Sequence, residues 1–180
     1  MLKLKIIYIV IFLLIAVERI LNTFKSEERE GKIHHKWTAP VLMTTYCLVV
    51  LIALFDFIFY LGKINFLITA CGIVTMAGGI ILRRSAIKTL GPNWSIHLKE
   101  LNAQQLVNSG PYRFFRHPYY IAVMLELAGV ALYFNSLPAL VFLFCVHFPL
   151  LLYRTKLEER ILLRQFGEKY RNYHNTTQKL

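Results

Sequence analysis

Charge is scarce in this chain, and acidic charge is the scarcer kind: 17% of its 180 residues are charged, with 10 Asp and Glu against 21 Lys and Arg. With 56% hydrophobic residues and a mean hydropathy of +0.48, the composition excludes an ordinary water-soluble domain. Cysteine is nearly absent. Cys47, Cys71 and Cys145 stand singly inside apolar runs without CxxC spacing, so no disulfide framework or thiolate metal site is expected and they read as small buried hydrophobes. No GxGxxG follows a strand pattern, which leaves a dinucleotide fold unsupported. His34-His35 is too little for a metal centre, and no metal site is expected. The formal net charge of +11 does not point to nucleic acid, because the basic residues fall in blocks between apolar runs rather than along one polar face. Anionic lipid headgroups explain those blocks better.

Long apolar runs are what the chain does have. Lys3 and Lys5 lead into Ile6 to Val17, but no small-residue cleavage site follows and Glu18-Arg19 comes directly after, so this reads as a retained first span. It is the weakest, since Leu4 to Leu21 gives about 27 Å of helix against a hydrocarbon core of roughly 30 Å. Arg19 to Lys36, with Glu27, Glu28, Arg29 and Glu30, reads as a solvated loop or surface helix. Ala39 to Leu61 and Ile64 to Leu82, separated at Gly62-Lys63, predict a helical hairpin in which Gly72, Gly78 and Gly79 permit close helix approach.

Arg83 and Arg84 close that span, and a polar region with Gly91-Pro92, Trp94, Gln104 and Gln105 continues to His117. Tyr119 to Tyr153 is too long for one helix, and Asn135-Ser136-Leu137-Pro138 supplies a turn, so two short spans are expected. Pro149 should kink the second, and His147 beside it reads as a satisfied core residue. The fold class is therefore an all-α, multi-pass membrane bundle of about five transmembrane helices in a single domain, 1–180. The loops assigned to one side carry eighteen Lys and Arg against three on the other, which predicts a cytoplasmic central loop and a cytoplasmic C-terminus.

Two stretches on that side carry unusual chemistry. Gly110 to Tyr120 reads GPYRFFRHPYY, and its two prolines bias Gly110 and His117 away from helix, so cations and aromatic rings are held in a shaped turn. The tail TKLEERILLRQFGEKYRNY sets Glu159, Leu162, Leu163, Phe166, Tyr170 and Tyr173 on one side of an amphipathic helix that Gly167 breaks or caps.

Together these stretches resemble the isoprenylcysteine carboxyl methyltransferase family, whose pattern GxYxxxRHPxYxG followed by EExxLxxxFGxxYxxY is met by Gly110, Tyr112, Arg116, His117, Pro118 and Tyr120, then Glu158, Glu159, Leu162, Phe166, Gly167, Tyr170 and Tyr173. The resemblance extends over 75–173, a motif-bearing core, and leaves the N-terminal spans of 1–63 unmatched. Ala122 stands where the family has Gly, and Glu126 makes RHPYYIAVMLE look more like the bacterial branch that methylates alkylpyrones and related polyketide lipids.

The resemblance implies an integral-membrane enzyme that transfers methyl from S-adenosylmethionine to a lipophilic or lipidated acceptor at the bilayer, a carboxyl or other oxygen. It implies that Leu106, Val107, Tyr112, His117, Pro118, Tyr119, Tyr120 and Glu158 hold the cofactor, with Glu159 as second candidate for the acidic contact. Arg154 matches the substrate-side Arg, with Arg113 and Arg116 less specific candidates to orient a carboxylate. A phenol or enol acceptor must lose a proton, and Glu126 is the residue to examine for that. A phospholipid N-methyltransferase shares the cofactor and a paired-Glu tail. A non-enzymatic scaffold or transporter subunit explains the spans and the charge asymmetry equally well, but not two aromatic, charged motifs on one face.

Overall fold

The structure is a computed structural model that describes residues 2–24, 31–59, 64–101 and 106–177. The expectations at Glu27 to Glu30, Gly62-Lys63 and Gln104-Gln105 lie outside the described residues. The helices are α1 (Leu2–Phe24), α2 (Thr38–Phe59), α3 (Phe66–Leu90), α4 (Pro118–Tyr133), α5 (Leu137–Phe142), α6 (Phe148–Phe166) and α7 (Glu168–Thr176). Two short strands, β1 (Gly31–His34) and β2 (Leu98–Leu101), pair antiparallel with Gly31 opposite Leu101. Part of the segment expected to be a solvated loop is thus a strand, tied to β2 by the backbone ladder and by His34 Nε2 3.0 Å from Glu100 Oε2.

Three helical runs among the described residues are long and apolar enough to cross a membrane, namely Thr38–Phe59, Phe66–Asn93 and Leu137–Phe166, and α4 is a shorter apolar helix. With α1 they make the five expected rods. Lys5 Nζ donates to Ile58 O at 2.9 Å, so α1 begins where α2 ends. Tyr8 and Phe12 of α1 enter the core with Phe57, Leu127, Tyr133 and Phe134, while Ile6, Leu13 and Leu14 stay exposed on the outer surface. The three cysteines also differ from expectation: Cys47, Cys71 and Cys145 are free and exposed. In a lipid solvent apolar side chains gain nothing by facing inward, so an apolar run does not tell buried from lipid-facing positions.

The tightest packing is α3 against α4. A Cβ on Gly72 would lie 2.4 Å from Tyr133 N, one on Gly79 2.9 Å from Glu126 N, and one on Gly129 2.6 Å from Met76 N. Backbones approach this closely only where side chains vanish. Gly78 meets nothing within 4 Å and takes no part in the contact. Ala122 is fully buried in the same seam, so its methyl group is accommodated.

Two boundaries move. Arg83 does not close a span: α3 runs on to Leu90, and Arg83 lies fully buried inside the bundle. The second half of the hairpin is not short either, because Leu137–Phe166 is one helical run from the membrane into the amphipathic tail. Its irregularity is a π turn at Leu143–His147, ending two residues before Pro149, whose missing N–H and ring the looser turn accommodates. Gly167, at φ 55°, separates α6 from α7. The expected turn after α4 is present, with Asn135 at φ 55° and Ser136 capping α5 through Ala139 N.

Candidate active site

The Gly110 turn is built as its prolines dictate. Gly110 takes φ 55°, where a side chain would be strained, and a Cβ there would also meet Thr89 Oγ1 at 2.7 Å. Gly110–Arg113 forms a 3₁₀ turn, His117 is held outside the helical region at φ −128° and ψ 57°, and Pro118 starts α4. This geometry turns His117 and Tyr120 toward the tail, their rings stacked with centroids 5.6 Å apart.

The tail meets the turn directly. Tyr120 OH donates to Glu158 Oε2 at 2.6 Å, and Arg154 Nε donates to the same Tyr120 oxygen at 2.9 Å. The remaining guanidinium nitrogens of Arg154 reach Thr38 Oγ1 at 3.3 Å and the Ile96 carbonyl. His117 Nε2 is 3.3 Å from Glu159 Oε1, and Arg116 Nε is 3.6 Å from that oxygen. Arg116 Nη1 also donates to His174 O at 3.1 Å, and Tyr173 OH donates to Tyr112 O at 2.6 Å. Glu158 and Glu159 differ in exposure: the Glu159 side chain is 12% exposed and faces the Arg116 guanidinium and the His117 ring, whereas that of Glu158 is 32% exposed.

Burial raises the phenols of the loop and tail. Tyr112 is pushed well above its ordinary value by burial and then by the Glu158 charge, and Tyr170 is raised by burial and by Glu159 and Glu158. Tyr173 is pushed up to about 12 by burial, which the Arg116 charge opposes. All three therefore act as neutral hydroxyls.

One cavity of about 810 Å³ joins this polar end to the membrane-embedded bundle, within the roughly 300–1,000 Å³ of small-molecule sites. Leu106, Val107, Tyr112, Arg116, His117, Tyr119, Tyr120, Glu126, Arg154 and Glu158 line it, whereas Pro118 and Glu159, also expected at the cofactor, do not. Arg113 is not on the wall. At the other end the lining is largely apolar, with Phe12, Val50, Met76, Val123 and Val130, and the Glu126–Arg83–Arg19 cluster and His147 are set into it.

Sequence reasoning did not mark Thr38, Ile96, Trp94 or Arg83 as site residues. Thr38, 2% exposed, and the Ile96 carbonyl complete the Arg154 contacts, and Trp94, 4% exposed, packs edge-on to Tyr119 at 5.9 Å. Only tertiary contact reveals the first two. Glu126, 3% exposed, takes Arg83 Nε at 2.7 Å on one oxygen and contacts Arg19 Nη1 with the other. Glu18 ties Arg83 to Arg84, and the Arg19 guanidinium sits 4.3 Å from the Tyr46 ring centroid.

A sequence profile of the isoprenylcysteine carboxyl methyltransferase family matches residues 70–164. No curated protein sequence matches the chain. Among solved structures, that of the eukaryotic intramembrane Ras methyltransferase isoprenylcysteine carboxyl methyltransferase, without a monobody, is similar with a TM-score of 0.58 at 21% identity, over 82% of this chain and 53% of that one. The present chain spans about half the length of that protein, and at this identity the likeness concerns the fold.

Proposed function

The chain belongs to the isoprenylcysteine carboxyl methyltransferase family, and on that premise we propose that it is an integral-membrane, S-adenosylmethionine-dependent methyltransferase acting on an oxygen of a lipophilic acceptor. The observation that carries this reading is one continuous cavity with a polar, motif-built end and a largely apolar end between membrane helices.

The residues of the polar end fit the cofactor. Glu158 offers a partly open carboxylate for the ribose diol or the amine, and the stacked His117 and Tyr120 rings with Tyr112 offer aromatic surface for the adenine and electron-rich neighbours for the sulfonium. Tyr170 adds an orphan: its hydroxyl is buried on the cavity wall with no hydrogen-bond partner among the described residues, a donor for a ligand oxygen. When bound, S-adenosylmethionine supplies an electrophilic methyl group. Arg154, fixed on three sides by Tyr120, Thr38 and the Ile96 carbonyl, orients an acceptor oxygen with a guanidinium whose position is set in advance. Trp94 and the β2 approach at Ile96 to Lys99 wall off the polar end and exclude water.

The acceptor enters sideways. Met43 and Leu51 of α2 line the cavity and are also 48% and 58% exposed on the surface that faces lipid, as an opening between α1 and α2 requires. The basic loops support a cytoplasmic orientation for the cofactor end.

Binding of labelled S-adenosylmethionine to the purified chain, followed by a screen of lipid extracts for a methylated product, tests the activity. Glu158→Gln should lower S-adenosylhomocysteine affinity at least tenfold while the melting temperature in detergent stays put. Unchanged affinity in that variant would refute the assignment of Glu158.

A further inference from the structure

In the membrane-embedded half of the cavity the described residues leave three buried nitrogens without a hydrogen bond, and of these Arg19 Nη1 and Arg83 Nη1 belong to the Glu126 ion-pair cluster while His147 Nε2 does not. His147 closes the π turn, is 1% exposed and lines the cavity. Its Nδ1 lies 2.8 Å from Thr45 Oγ1 on α2, and its Nε2 is buried with no hydrogen-bond partner among the described residues. The sequence reading of His147 as a satisfied core residue is therefore half right: one nitrogen is met and the other is not.

The Thr45 contacts decide what Nε2 is. A threonine hydroxyl has one proton, and Leu42 O at 3.1 Å and Val41 O at 3.2 Å are there to take it, as in other helical threonines that bond back to the preceding turn. The Thr45 oxygen is then the acceptor and His147 Nδ1–H the donor. That fixes the neutral tautomer in which Nε2 carries a bare lone pair. A lone pair without a partner is costly in a membrane interior, where no bulk water reaches it. Here it is held by a π turn, a helix irregularity that recurs at functional sites.

We propose that His147 Nε2 is the binding site for the hydroxyl of a lipophilic phenol or enol, whose apolar body lies against Phe12, Met76 and Val130 and whose O–H donates to the imidazole. A carboxylate or phosphate would set oxygen lone pairs against the nitrogen lone pair, and an ether or ester has no proton to give. As a claim about binding this stands on the cavity geometry; as a claim about the methyl acceptor it rests on the proposed function and narrows it to acceptors that carry a proton on the oxygen.

The test uses a long-chain 4-alkylphenol, its methyl ether and the matching 4-alkylbenzoate. Each is titrated against the full chain in lipid nanodiscs and followed by ligand-observed NMR. The phenol should bind about tenfold tighter than its ether. His147→Phe should abolish that preference and Thr45→Val, which frees the ring from its tautomer, should reduce it. S-adenosylhomocysteine affinity should be unchanged in both. A wild-type phenol-to-ether ratio below about twofold, a preference that survives His147→Phe, or tighter binding of the ether or benzoate overturns the proposal. Where His147→Phe does not fold, the wild-type ratio, its change in Thr45→Val and the ¹⁵N shift of His147 Nε2 on adding the phenol decide; an unmoved shift counts against the site. Loss of S-adenosylhomocysteine binding by the wild type with the phenol preference intact would overturn the cofactor reading and leave the His147 site standing.

Discussion

The two ends of the cavity are built by opposite means. At the polar end, Tyr120, Glu158, Arg154 and His117 come from two short stretches of sequence and touch through side chains at their tips. At the membrane end, Glu126, Arg83, Arg19, Tyr46 and His147 come from five separate helical segments and share no motif. The first arrangement keeps its geometry because turn and helix caps impose it locally, and it tolerates exposure. The second exists only because the α3–α4 seam and α1 bring distant residues together, and its charges are out of water. Loss of one group at the polar end should therefore cost function and little stability, while loss at the membrane end should cost stability first.

The strongest way to break that contrast is Arg83. Replacing it with Met leaves Glu126 with one guanidinium fewer at full burial, a change expected to cost about 3–5 kcal/mol of stability. Adding Glu126→Met should restore part of the loss, and a melting series in detergent reads both. Little change in the single variant would mean that water reaches the cluster.

Next comes the seam. Gly129→Val places atoms against the Met76 backbone, where even a Cβ would lie 2.6 Å from Met76 N, and should destabilise by about 3 kcal/mol. Gly78→Ala, with nothing within 4 Å, should be neutral or stabilise by up to about 1 kcal/mol through helix propensity. Equal effects at the two positions would remove the seam as the organising contact.

The smallest expected effect belongs to the polar end. Tyr173→Phe removes the donor to Tyr112 O and should cost about 1 kcal/mol. Because the folded phenol is raised from near 10 to about 12, the difference from wild type is fully present below pH 10 and is lost as pH rises through about 12. Stability curves at neutral and strongly alkaline pH check the sign, and a difference that grew with pH would contradict it.

Much of this was legible in the chain. Apolar run lengths gave five rods, Gly110 and the two prolines gave a turn, and Gly167 gave the break between α6 and α7. The charge asymmetry put turn and tail on one side, and the structure brings them into direct contact. What was not legible follows from the solvent. In lipid, the alternation of polar and apolar residues that marks an inside face in water disappears, so the exposed cysteines, the buried Arg83 and the noncontributing Gly78 all look like their neighbours in sequence.

The sequence by itself determined the class of molecule and the polar end of its site, because span length, turn residues and motif spacing are local properties that backbone sterics and hydrogen-bond accounting enforce wherever the chain goes. Only the tertiary structure decided the partners of the buried charges, the role of Thr38 and the open nitrogen of His147. Those depend on contacts between residues up to 116 positions apart, and long-range pairing of single polar atoms leaves no period in a sequence to read.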